Sequence, residues 1–158
     1  MNDAKANIPA ILERLRSGFR DAVPHNAALN LELTDLDVGK AVMVLPYDAR
    51  FVGDPETGIL HGGVVTTLID ATCGAAVFAE IQMAIPIATL DLRIDYLKPA
   101  TPGLAVTCRA ECYKRTHNIA FARAVAYHDD PNDPIASAAG TFMLATKGRA
   151  MTPTEDSP

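Results

Sequence analysis

Residues 59–79 read ILHGGVVTTLIDATCGAAVFA, a nearly unbroken apolar and small-residue run in which Asp70 is the only acid. Such a run predicts a helix buried on all sides rather than one with a polar face. It should end near Gln82, ahead of Pro86. Downstream the period changes from helical to alternating. Residues 89–96 alternate strictly, which predicts a strand with Leu90, Leu92, Ile94 and Tyr96 on one face. After the turn PATPG at 99–103, Leu104, Val106, Cys108, Ala110 and Cys112 form a second apolar face. Residues 119–127 form a third strand, whose even positions Ala120, Ala122, Ala124 and Ala126 make a flat stripe of small side chains. The acidic turn HDDPNDP at 128–134 separates it from a last strand over 135–146. Upstream, 29–33 and 41–45 read as short strands around a Val38-Gly39-Lys40 turn, and 47–58 as polar and turn-rich. Ile8, Ile11, Leu12, Leu15 and Phe19 space out a short amphipathic helix that ends before a break at Pro24-His25-Asn26.

One long buried helix and five or six antiparallel strands predict an α+β layer architecture. The alanine stripe marks where something approaches the sheet closely, and the helix is the candidate. Three segments follow: an N-terminal helical segment over 1–24, one domain over 25–147 and a flexible tail over 148–158. A sheet that wraps a single helix leaves an edge strand and one helix flank uncovered. Self-association would cover both, so at least a homodimer is expected.

Composition narrows the partners. A formal net charge of −5 and a pI near 5.2, with no Lys/Arg cluster, argue against nucleic acid. The central run approaches membrane-spanning length, but His61, two glycines, Asp70 and Glu80 interrupt it, so no membrane partner is expected. The N-terminal stretch has no apolar core of the kind a secretory signal needs. Cys73, Cys108 and Cys112 are an odd set, suited to free thiols in a reducing cytoplasm. Cys108 and Cys112 lack a second pair or a nearby histidine, so neither a metal nor another cofactor is expected.

An unpaired buried carboxylate costs several kcal/mol, which makes Asp70 a candidate for chemistry rather than packing. At the mouth of the same helix, Gly62 and Gly63 would leave backbone N–H groups open to a ligand oxygen. Gly62 and Asp70 are eight residues apart, or about 12 Å along a helix. A single reacting carbon must lie about 3 Å from both the oxyanion donor and the attacking group. One chain cannot easily supply both, whereas two antiparallel helices across a two-fold axis could.

The order of elements, the GDPETGILHGG approach, VVTTLIDAT on the helix, the ATLDLRIDYLKPA strand and the late AFARAVAYHDDPNDPIASAAGTFML run resemble the PaaI-like hot-dog acyl-CoA thioesterases. The resemblance spans roughly residues 25–147 and implies hydrolysis of an acyl-CoA thioester to a free acid and coenzyme A. It implies that Gly62 donates its N–H to the thioester carbonyl, with Gly63 beside it. By the same likeness Asp70 acts as general base or nucleophile, and Thr89 orients the water. His61 would shape the loop rather than transfer protons. Relatives commonly assemble as dimers of dimers, which implies a homotetramer as the alternative to a dimer.

One residue departs from the family pattern. Asp54 stands where relatives often carry an asparagine that helps bind the substrate. An anion cannot donate that hydrogen bond, so Asp54 points away, is protonated, or leaves a reduced donor set. Lys98, Lys114, Arg115, Lys147 and Arg149 are the cations available for the phosphates of coenzyme A. His25, His117 and His128 fall in turns and should face solvent, and Thr66, Thr67 and Thr72 should bond back to helix carbonyls. A non-catalytic acyl-CoA binder or sensor is the alternative function, kept open by Asp54. A hot-dog hydratase would need a differently placed histidine and acid, which the sequence lacks. The acyl group is not specified.

Overall fold

The computed structural model describes residue 18 and residues 22–82 and 85–145. The amphipathic segment around residues 8–19 and the tail over 148–158 lie outside the described residues. Helix α1 (Pro24–Ala28) begins the described fold with a proline at its first turn, where the missing N–H costs nothing. Pro24 therefore opens a short helix, where the sequence suggested only a break. Strands β1 (Glu32–Asp37) and β2 (Lys40–Leu45) form a hairpin around Gly39, whose φ of 68° suits glycine. The first strand starts later than its alternation suggests, because Leu29 and Leu31 are buried in the turn that precedes it.

The stretch expected to be only turns holds a small two-stranded sheet, β3 (Val52–Asp54) with β4 (Ile59–Leu60). It delivers the chain into α2 (Gly62–Ile81). Gln82, at φ 54°, closes that helix by donating its N–H to the Phe78 carbonyl, in agreement with the expected end. Strands β5 (Ile87–Tyr96), β6 (Val106–Arg115), β7 (Ile119–Tyr127) and β8 (Ala136–Leu144) follow. They complete a six-stranded antiparallel sheet of order β1-β2-β6-β7-β8-β5.

The small-residue stripe lies where the helix meets the sheet. Ala122 pairs with Gly140, Ala124 with Ala138 and Ala126 with Ala136 across β7 and β8. On the other side Ala110 of β6 faces Ala124. All four alanines of β7 are buried, as are Cys73, Gly74, Ala75, Ala76 and Val77 on the helix. A row of single-carbon side chains lets two backbones approach at interior packing density, so the stripe sets how close α2 lies to the sheet. By length and hydropathy α2 could cross a membrane, but it spends Leu68, Ile69, Cys73 and Val77 on this interface.

The helix is not buried on all sides, as its composition suggested. A single sheet covers one side, and a flank carrying Val64, Thr66, Thr67, Asp70 and Ala71 is only half-buried. The uncovered edge is equally plain. β5 is the last strand of its sheet, with Leu90 52% and Tyr96 50% exposed and Leu97 just beyond it 57% exposed.

Strand β5 departs from strict alternation. Its register against β8 shifts between Thr89 and Asp91, a bulge at Leu90. Thr89 lies opposite Phe142, while Leu92, Ile94 and Tyr96 lie opposite Gly140, Ala138 and Ala136, all positions on the buried face of β8. Thr89 therefore shares the helix-facing side with Leu92, Ile94 and Tyr96, and Leu90 is the residue displaced outward.

All three cysteines are free and buried. Burial pushes the Cys108 thiol up to about 12, against a smaller opposing effect of the Thr72 hydroxyl. Burial likewise raises Cys73 well above the usual thiol range, and Cys112 to a lesser degree. Neutral thiols are poor nucleophiles. At about pH 8 the folded protein should leave Cys73 and Cys108 unreacted with a chromogenic disulfide reagent, and guanidinium should release all three. Rapid reaction of three thiols in the folded state would contradict this packing.

Candidate active site

The mouth of α2 is built by two consecutive peptides and what occupies their polar atoms. His61 is the N-cap, and its Nδ1 accepts the Gly63 N–H at 2.9 Å. This places the imidazole proton on Nε2 in the neutral ring. The His61 carbonyl accepts the Val64 N–H at 3.1 Å. The Gly62 carbonyl is met by the Tyr96 hydroxyl at 2.7 Å and the Thr66 hydroxyl at 3.1 Å. The peptide between Gly62 and Gly63 is thus held at both its N–H and its C=O. Of the two glycines expected to offer open donors, only Gly62 does so, since His61 takes the N–H of Gly63. A side chain at Gly63 would push the His61 ring off this cap, because a Cβ there would lie 2.9 Å from His61 Nδ1.

Beside the mouth, an open cavity of about 390 Å³ has Gly62, Leu60, Val65, Tyr96, Lys98 and Ile135 in its walls. Lys98 forms an ion pair with Asp133. The wall segment that follows Lys98 is tied down by His128, whose Nε2 accepts the Thr101 N–H at 2.8 Å and whose Nδ1 lies 2.7 Å from the Ala105 carbonyl. His128 is therefore a brace between loops, where the sequence suggested a solvent-facing turn residue. His25 bonds the Thr67 hydroxyl at 3.1 Å while remaining exposed.

Asp70 lies two turns further along α2, half-buried, and accepts the Thr89 hydroxyl at 2.9 Å. The two residues to which the family resemblance gave the base and the orienting hydroxyl are thus in contact. The bulge at Leu90 makes that contact possible by turning Thr89 toward the helix. Thr66, Thr67 and Thr72 do bond back to the carbonyls of Gly62, Gly63 and Leu68.

Asp54 resolves among its three options. Its Oδ2 accepts the Thr57 hydroxyl at 2.8 Å, its Oδ1 accepts the Glu56 N–H at 3.1 Å, and its carbonyl accepts the Gly58 N–H at 2.9 Å. The Thr57 hydroxyl, then the Glu56 N–H, hold this carboxyl below the usual carboxylate range. Asp54 is thus an ionised residue folded onto its own turn, which excludes the protonated option among the three that the sequence left open. Lys114 and Arg115 are exposed at the end of β6. That end lies by the C-terminal turn of α2, where the Glu80 carboxylate abuts Gly39 and the adjoining Cys112 carbonyl. One chain therefore does not bring Lys114 and Arg115 to Gly62, while Lys147 and Arg149 lie outside the described residues. Among the described residues, no cluster of three or more metal-ligating side chains occurs. Tyr96 is the site residue that sequence reasoning missed, since its place in an apolar alternation marked it for packing.

A single long helix laid on a six-stranded antiparallel sheet, entered through a capped His-Gly-Gly mouth, defines a hot-dog fold of the PaaI-like type. The profile of the thioesterase superfamily matches residues 57–135, and the chain belongs to that superfamily of thioester hydrolases. It is 30% identical over 135 residues to the medium/long-chain acyl-CoA thioesterase YigI of Salmonella typhimurium, covering 77% of this chain and 86% of that one. A Pseudomonas aeruginosa protein of solved structure is 44% identical, with a TM-score of 0.75 over 84% of this chain and 97% of its own. A mutant of the phenylacetic acid degradation protein PaaI from Thermus thermophilus is 26% identical, with a TM-score of 0.67 over 77% and 98% of the two chains.

Proposed function

We propose that this protein hydrolyses medium- or long-chain acyl-CoA thioesters at a site shared between two subunits. The observation that carries the reading is the single open N–H at Gly62 on the same helix as an Asp70–Thr89 pair. In the reaction, the thioester oxygen would sit on the Gly62 N–H, at the positive end of the helix dipole. Asp70 of the partner subunit would take a proton from water as it attacks, or attack the carbonyl itself. On the first route the C–S bond then breaks and coenzyme A leaves as the thiol, taking that proton. On the second it leaves as the thiolate, and water hydrolyses the resulting Asp70 anhydride to the free acid and the regenerated carboxylate. Thr89 keeps Asp70 oriented. The acyl length follows the YigI relatives, and the apolar cavity beside Gly62 accords with it.

The exposed β5 edge and the half-buried flank of α2 are the faces that a second copy would cover. A dimer, or a pair of dimers, in the cytoplasm is therefore part of the proposal, with residues 25–147 as its catalytic domain. The acyl-CoA sensor reading rested on Asp54, and the turn that binds that carboxylate favours hydrolysis over it by holding the charge on its own loop.

Hydrolysis of an acyl-CoA panel, followed by loss of thioester ultraviolet absorbance, tests the activity without a thiol reagent that the protein's cysteines could consume. Turnover of C10 to C16 esters is expected, and no turnover of any ester would overturn the reading. The shared site has its own test. Subunits carrying Gly62→Pro, mixed with subunits carrying Asp70→Asn, rebuild one intact site per mixed dimer. A statistical mixture should recover about a quarter of wild-type activity, because about half of its dimers are mixed and each carries one of two sites. Recovery of none would place both groups in one chain.

A further inference from the structure

We propose that Tyr96 and Thr66 are positioning residues that jointly hold the Gly62–Gly63 peptide so that the Gly62 N–H stays aimed at the thioester carbonyl. This rests on the site reading above. The Tyr96 hydroxyl, the Thr66 hydroxyl and the Gly62 carbonyl form a triangle with sides of 2.7, 2.8 and 3.1 Å. Three contacts share two hydroxyl protons. Whichever hydroxyl donates to the carbonyl, the other can donate to that hydroxyl, so the carbonyl always has a partner. The opposite side of the same peptide is fixed by His61 Nδ1 on the Gly63 N–H. The preceding peptide is fixed by Val64 on the His61 carbonyl.

Glycine is where such bracing is needed, because without a Cβ its dihedrals are the least restricted in the chain. An oxyanion donor works by being aimed before the charge develops, and reorientation during the reaction forfeits that advantage. Strand β5 does the bracing at both stations. Thr89 reaches Asp70 and Tyr96 reaches Gly62, although residues seven apart on a regular strand point to opposite faces. The bulge at Leu90 changes the parity and brings both hydroxyls to the helix. Nothing in the packing needs the Tyr96 hydroxyl for burial, since the side chain is half exposed. Its polar end goes to the carbonyl of Gly62, the residue whose N–H, on the preceding peptide, is the open donor.

The test is steady-state hydrolysis of dodecanoyl-CoA by the full-length oligomer, with kcat and KM separated and melting temperature recorded. Turnover by wild type is read first, and its absence would overturn the site and this inference together. Because either hydroxyl can serve the carbonyl, Tyr96→Phe and Thr66→Val should each lower kcat by no more than about 5-fold. The double variant should lose about 100-fold in kcat, more than the product of the singles, with KM within about 2-fold of wild type. Tyr96→Phe with Thr66→Ser, which restores a hydroxyl, should return to the level of Tyr96→Phe alone. Thr67→Val removes a neighbouring hydroxyl from the Gly63 carbonyl and controls for loosening of the helix mouth; its kcat should not change. A double variant within about 3-fold of wild type would overturn the proposal. So would a loss carried by KM alone, or a serine variant as impaired as valine.

Discussion

Asp70→Asn is expected to lower kcat by about 10³-fold, within the range that removal of a general base produces, while the protein stays folded and oligomeric. The two side chains have the same shape. The asparagine Oδ1 still accepts the Thr89 hydroxyl that now binds the Asp70 Oδ1 at 2.9 Å. What is lost is the capacity to accept a proton or to attack a carbonyl, which an amide lacks at neutral pH. KM should change little, because the substitution acts on the step in which the bond is made. Pre-steady-state and steady-state rates on one acyl-CoA ester, with circular dichroism on the same sample, measure both halves of the expectation. Retention of more than a tenth of wild-type kcat would remove Asp70 from the reaction.

Gly62→Pro should cost about 10² to 10³-fold in kcat, the loss typical of one deleted oxyanion donor, and should do so with little change in stability. Proline deletes one N–H and nothing else if the backbone already suits it, and here it does. Gly62 is the first residue of α2, the position at which helices favour proline. His61 sits at φ −62° and ψ 133°, the extended conformation that a residue before proline prefers. A Cβ at 62 would meet only the Tyr96 side chain, at 3.4 Å or more. The same device already opens α1, where Pro24 occupies the first turn. Melting temperature and kcat on one preparation decide the matter. Unchanged turnover in a folded protein would mean that another group stabilises the oxyanion.

Periodicity and local turn chemistry were enough for most of the architecture. The end of α2 at Gln82, the Gly39 turn and the strands from β5 to β8 follow from alternation, glycine and proline. The alanine stripe foretold the place where the helix lies on the sheet. Gly62 and Asp70 stood out because a glycine-led helix mouth and a single acid form a local pattern, whereas Thr89 came only from the family resemblance. What escaped the sequence is what depends on three dimensions. Asp70 was placed in a fully buried helix, because apolar composition does not reveal that one sheet covers only one flank. Asp54 was left open among three options, because its capture by Thr57 and Glu56 depends on the shape of a five-residue turn. The β3–β4 pair was hidden in residues too few and too polar to alternate. Tyr96 looked like one more apolar position, and the 34-residue separation from Gly62 gives no local sign of their contact.

The bulge at Leu90 gives strand β5 something close to a reading frame. Which residues meet the helix is set by how many residues the strand contains between its two stations, independently of which residues they are. Removing Leu90 would take the bulge with it and leave Thr89 and Tyr96 six residues apart on a regular strand, both still facing the helix. Flattening the bulge without losing a residue would instead turn either Thr89 or Tyr96 outward and separate the acid from its hydroxyl or the glycine from its brace. For this edge of the molecule, the length of the strand and its bulge are inherited as a pair, and point substitutions alone would never reveal that.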